Sequence, residues 1–358
     1  MNKDKIYNVL MYIIVIILAL LMGFMMGGTV FSDIDSAVLE IVVFVLSFLA
    51  AIIVQTILHE AGHLVFGLMT GYRFLSFRIF NIMWVKTEGK ITVKRYTLPG
   101  TLGQCLLEPP EYSENYPYIL YNLGGALMNV IVSLLSFVFY LLVTNTIIRS
   151  VMLSFLFYGL IFAVTNGIPL RTNYLNNDGM NMLEAKRDED CRKALYQQLK
   201  INALLTGSVR LKDMDEELFA YDPEKAKRFA LVSSIPVFCE NRYMDKRDFG
   251  NAEAMIIELT GGSYMISGVH RFLLLNDKEY IDCLNNRYMP VNDKNYLTIK
   301  AKYMSLLPVI RTQIAIDKTS GDIKDMDVQL SRFNEVMKTY PYSAEAEAEE
   351  ELVGLITG

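Results

Sequence analysis

His59-Glu60-Ala61-Gly62-His63 places two imidazoles and a carboxylate inside a run that is otherwise apolar, since from Ala37 to Met69 the one other charged residue is Glu40. The chain has three histidines, and two of them stand here, four positions apart. On an α-helix that spacing puts both imidazoles on one face, a turn apart, where they can grip a single metal ion while Glu60 stands beside it as a base. Ionisable side chains in an apolar helix of membrane length are expensive, and a purely structural reading must find buried partners for all three together. The pattern points to zinc, with His59 and His63 as ligands and Glu60 activating water for hydrolysis.

A catalytic zinc takes three protein ligands and keeps one position for water. The best third donor is Asp178, followed by Gly179 and lying just beyond the last apolar run. Asp188, Glu189 and Asp190 are rivals by type, but their charged run reads as a solvated helix face. His270 lies in the polar half of the chain and reads as a surface or packing residue.

The elements that must carry these residues are membrane helices. Apolar runs near residues 6–31, 37–69, 117–143 and 147–168 each reach the roughly 20 residues that a bilayer crossing needs. The first follows Lys3 and Lys5, exceeds the length of a signal-peptide core and has no small-x-small cleavage site after it, so it reads as a retained anchor. Arg73, Arg78, Lys86, Lys90, Lys94 and Arg95 follow the second run, whereas only Asp33 and Asp35 lie between runs one and two. The positive-inside rule then gives a multi-pass protein of the cell membrane with both termini cytosolic. Counted from Glu40 at the outer interface, His59 lies roughly 28 Å along the helix, near the inner edge of a hydrocarbon core about 30 Å thick.

Two β-prone strings, 82–86 and 91–95, flank Thr87-Glu88-Gly89-Lys90 and read as a short hairpin at the membrane surface, able to pair with an extended substrate strand. An ordinary basic loop held by lipid headgroups is the alternative. Beyond Gly179 the pattern is helical, with helices expected near 188–206, 223–242, 250–260, 264–275, 277–286, 294–317, 324–339 and 343–356. Paired helices with short turns suggest a tetratricopeptide-like array. The fold class is therefore mainly α: a polytopic bundle over residues 1–179 and a cytosolic helical domain over 180–358.

Charge follows the same division. Residues 1–179 hold ten Lys/Arg and ten Asp/Glu, so the net charge of −5 belongs to the remainder, with 24 basic and 29 acidic residues. No basic stripe suggests a nucleic-acid partner. Cys105, Cys191, Cys239 and Cys283 are widely spaced, without a CxxC pair, and read as free thiols.

Three groups of residues together resemble the site-2 protease family of intramembrane zinc metalloproteases: the pair His59 and His63, Gly124-Gly125-Ala126-Leu127-Met128-Asn129, and Asn166-Gly167-Ile168-Pro169 followed by Asp178-Gly179. The resemblance covers residues 37–179. It implies that His59, His63 and Asp178 bind zinc, that Glu60 activates water, and that Asn129 helps position a membrane-anchored protein or peptide substrate near the metal. The chain departs from the family pattern in its long spacer from Pro169 to Asp178. Apart from the resemblance, Asn166 and Pro169 can mark a helix end, and Gly124, Gly125 and Asn129 can serve close helix packing. Substrate selection falls by position to the C-terminal domain, through a protein partner or a substrate tail.

Two other functions use the same residues. A catalytically silent membrane scaffold or adaptor would hold a structural metal, but such a metal has no need of Glu60 between its histidines. A metal transporter would need a second cluster of intramembrane acids or histidines, and the apolar runs contain none.

Overall fold

A computed structural model of the chain describes residues 3–30, 36–87, 89–172 and 175–358. Asp33, Asp35 and Glu88, used above to read orientation and a turn, lie outside the described residues. The four apolar runs form helices α1 (Lys3–Val30), α2 (Ala37–Met69), α3 (Tyr118–Leu142) and α4 (Thr146–Gly167), each long and apolar enough to cross a membrane. Much of their outer surface is aliphatic and aromatic, with Phe24 82% and Leu142 74% exposed, which suits hydrocarbon and not water. Four of their hydroxyls are satisfied within the helix: Thr56, Ser133, Ser136 and Ser150 each donate to the carbonyl four residues earlier.

Between α2 and α3 the chain forms an antiparallel sheet of β1 (Arg73–Ile79), β2 (Ile82–Thr87), β3 (Lys90–Arg95) and β4 (Gly103–Glu108), in the order β3-β2-β1-β4. The expected hairpin is β2 and β3, in register from Ile82 opposite Arg95 to Thr87 opposite Lys90. Two further strands widen it. β1 leaves α2 through Gly71, whose φ of 90° reverses the chain, and pairs with β4 across a bulge at Leu75.

After α4 comes a two-strand ribbon, β5 (Arg171–Thr172) and β6 (Leu175–Asn176), and then the helical region. Its helices are α5 (Asp178–Arg187), α6 (Glu189–Thr206), α7 (Pro223–Ala226), α8 (Ala230–Asp245), α9 (Phe249–Gly261), α10 (Gly268–Leu284), α11 (Lys294–Tyr303), α12 (Leu307–Thr319), α13 (Ile323–Thr339) and α14 (Ser343–Thr357). Three expected boundaries move. The stretches 264–275 and 277–286 are one helix, α10, capped by Ser267. The polar Asn276 and Asp277 at the expected break face inward, Asn276 donating to Pro308 O and Thr312 Oγ1 and Asp277 pairing with the buried Arg311. The stretch 294–317 divides into α11 and α12, with Pro308 in the first turn of α12, where its missing N–H costs no helix bond. The stretch 223–242 divides likewise at residues 227–229.

The C-terminal helices do not hang from the sheet by a linker. One hydrophobic core runs from Tyr72, Leu107 and Tyr121 into Leu195, Leu231, Tyr280 and Ile314. Lys200 pairs with Glu108 and Glu111, and Tyr340 and Tyr342 pack edge-on against Tyr96. The four cysteines are free thiols.

Candidate metal centre

α2 brings His59 and His63 to one buried face, 5% and 9% exposed. The room for them comes from glycine. Gly62 meets Gly124 where α2 crosses α3, so closely that a Cβ on Gly124 would stand 2.7 Å from Gly62 O. One residue on, the His59 ring lies over Gly125, where a Cβ would fall 2.6 Å from both ring nitrogens. Close packing and the placing of His59 are thus tasks of the same small residues.

Both imidazoles are oriented through Nδ1. His63 Nδ1 lies 2.7 Å from Tyr121 O, and because a carbonyl only accepts, this nitrogen carries a proton. His59 Nδ1 lies 2.8 Å from Asn129 Oδ1. Asn129 is fully buried, so it acts on His59 and does not line the cavity described below.

Asp178 enters from the other side at the first turn of α5. The long spacer after Pro169 is folded out as the β5–β6 ribbon, whose base is closed by Asn177 N donating to Leu170 O at 3.0 Å and Leu170 N donating to Asn177 Oδ1 at 2.9 Å. Asn177 also caps α5 through Met180 N and donates from Nδ2 to Thr165 O and Ile168 O, both at 2.7 Å. The end of α4 and the start of α5 are thereby pinned together, and extra residues in between do not move Asp178.

The three donor atoms converge. His59 Nε2 and His63 Nε2 lie 3.2 Å apart, and Asp178 Oδ2 lies 3.2 Å from the first and 3.3 Å from the second. Among the described residues, these are the one group of three or more histidine, cysteine or acidic side chains close enough to share an ion. Asp178 Oδ2 is buried and lacks a hydrogen-bond donor. Edges of about 3.2 Å leave a point about 1.9 Å from each atom (edge over √3), close to the roughly 2.0–2.2 Å of zinc–nitrogen and zinc–oxygen bonds. Two imidazoles and one carboxylate, with the remaining nitrogens tied back, are a donor set that would suit a divalent ion such as zinc.

The three donors line a cavity of about 530 Å³ together with Glu60, Asn122 and Asn166. Glu60 packs on the backbone of Gly103, where a Cβ would stand 2.7 Å from its Oε1. Arg78 holds that wall from behind, donating to Thr101 Oγ1, Phe80 O and Gly103 O while itself 1% exposed. The strand at the cavity is β4, through Gly103, Gln104 and Cys105; the β2–β3 hairpin expected to receive an extended segment ends at the opposite edge of the sheet. Asp188, the ligand rival, instead pairs with Lys225. His270 lines a separate cavity with Ser267 and Ser233.

Compared with protein-family models, curated proteins and solved structures, the chain has no match.

Proposed function

We propose that the protein is an intramembrane zinc metalloprotease of the site-2 protease kind, which hydrolyses peptide bonds in or near the membrane segment of an anchored protein or peptide. The observation that carries this reading is the meeting of His59 Nε2, His63 Nε2 and Asp178 Oδ2 at one point, with Glu60 on the same cavity wall. A divalent ion held there would supply Lewis acidity and lower the pKa of a water. Glu60 takes the proton from water and passes it to the leaving amine. Asn129 and Tyr121 O hold the imidazoles, and β4, paired on one side only, offers an edge along which an unwound segment can lie.

In this reading α1–α4 are four crossings, both termini are cytosolic, and the site sits near the cytosolic face among lipids of the cell membrane. The C-terminal helices, a tetratricopeptide-like array in this proposal, meet a protein partner or a substrate tail. The test is full-length protein in detergent. Wild type should carry one zinc and cleave a single-span substrate, Asp178→Ala should lose the zinc, and Glu60→Gln should keep it and lose cleavage. Full zinc occupancy in Asp178→Ala, or undiminished cleavage by Glu60→Gln, would sink the proposal; zinc with no cleavage of any anchored substrate would favour the silent scaffold.

A further inference from the structure

We propose that Gln55 is a positioning residue of this centre, which sets the tautomer of His59 through Asn129; the inference rests on the metal-site reading above. Gln55 precedes His59 by one helical turn and is 0% exposed within an apolar span, a place where an amide persists only if its groups are partnered. Its partners form a one-way chain through three helices. Gln55 Nε2 donates to Phe155 O of α4 at 2.9 Å, and since a carbonyl cannot donate, this bond fixes which end of the amide is which. Oε1 therefore faces Asn129 and accepts from its Nδ2 at 2.7 Å, while the same Nδ2 donates to Gln55 O at 3.0 Å.

With both donations of Asn129 spent on residue 55, its Oδ1 is what remains for His59, and an oxygen accepts. His59 Nδ1 must carry a proton, so in the neutral ring Nε2 is the bare nitrogen, facing His63 and Asp178. The space for Gln55 is built in. Gly159, one turn beyond Phe155, would with a Cβ collide with Gln55 Nε2 and stand 2.9 Å from its Cδ. Without the side-chain amide, one bond, to Gln55 O, resists a flip of Asn129. A flipped Asn129 presents N–H to His59 Nδ1 and forces the proton onto Nε2, into the mouth of the metal site.

Imidazole ¹⁵N spectra of the full-length protein in detergent test this directly, because three histidines give three resolvable ring systems. In metal-free wild type, at a pH where the ring is neutral, His59 is expected with Nδ1 protonated and Nε2 bare. Gln55→Met keeps the volume and removes both amide functions, and should show His59 populating the Nε2-protonated form. His63 should keep its Nδ1–H, since Tyr121 O is untouched, and this serves as the folding control. Gln55→Glu, neutral when buried, can donate to Phe155 O and accept from Asn129, and should keep the wild-type His59 pattern.

Titration with Co²⁺ is the second readout, with Gln55→Met expected to bind about tenfold more weakly and Gln55→Glu to bind as wild type does. Unchanged His59 spectra and Co²⁺ affinity in Gln55→Met would overturn the proposal. So would a loss in Gln55→Glu equal to that in Gln55→Met, because Glu keeps the two hydrogen bonds that Met removes. A wild type with Nδ1-protonated His59 but no affinity for Co²⁺ would overturn the metal reading, and with it the task assigned to Gln55.

Discussion

Adding one methyl group to α3 should disable the metal centre without touching a ligand. In Gly125→Ala the new Cβ would lie 2.6 Å from both His59 ring nitrogens, about 0.8 Å short of the ~3.4 Å of an ordinary contact. Either the ring retreats or α3 does. Retreat of the ring carries Nε2 by a similar distance, several times the ±0.2 Å tolerance of a metal–ligand bond, and strains the 2.8 Å contact to Asn129. Retreat of α3 draws Tyr121 O from His63 and opens the Gly62–Gly124 crossing. Overpacking of this kind costs about 1–3 kcal/mol, about 5- to 150-fold in an equilibrium constant, so the metal affinity should fall by a factor in that range and cleavage by about 100-fold. The assay is competition for Zn²⁺ against a chromophoric chelator with full-length protein in detergent, beside a melting curve. Gly23→Ala is the control, since a Cβ at that position meets nothing within 4 Å, and it should bind as wild type does. Wild-type affinity and melting in Gly125→Ala would refute the stated packing of His59 on α3.

Two further predictions concern what holds the site and the helices behind it. Asn177→Ala removes two donations from Nδ2 and two acceptances at Oδ1, and should cost about 2–4 kcal/mol of stability and at least tenfold in Zn²⁺ affinity, read by melting and by the same competition. In the helical region, burial pushes the Glu345 carboxyl from 4.5 up to about 7, with the Tyr340 hydroxyl opposing. Between those values the unfolded chain has released a proton that the folded chain keeps, so this stability is fully present below about pH 4.5, declines from there as pH rises to about 7, and is lost above it. Glu345→Gln should flatten that decline, by up to about 3 kcal/mol at pH 8, in melting curves taken at pH 5 and pH 8. A slope unchanged by the substitution would remove Glu345 as its source.

What could be read from the residues alone was whatever local periodicity determines. The apolar runs gave α1–α4 to within a few residues, and the spacing of His59 and His63 required one shared face. β1 and β4 escaped, because Arg73 and Glu108 find each other across 35 positions and neither string alternates cleanly. The continuity of α10 escaped for a related reason. Asn276 and Asp277 read as a polar break until Thr312 and Arg311 of α12 are set opposite them. In each case the deciding partner is distant in sequence, and no window along the chain contains both halves of the bond.

Gln55 and Asn177 are the sharper instances, because both are uncharged amides that no pattern of charge or spacing singles out. Gln55 stands four residues before His59, on the same helical face, and a polar side chain at that position in an apolar run is a signal available to a reader who asks where its hydrogen bonds go. Asn177 stands beside Asp178, the proposed third ligand, and the length of the loop before it misleads, because distance along the chain matters little once Leu170 and Asn177 close the loop at its base. Ligands are legible because their chemistry is rare in such surroundings. The groups that aim them are legible only through the obligation of every buried donor and acceptor to be paired, which is why tertiary geometry had to supply them.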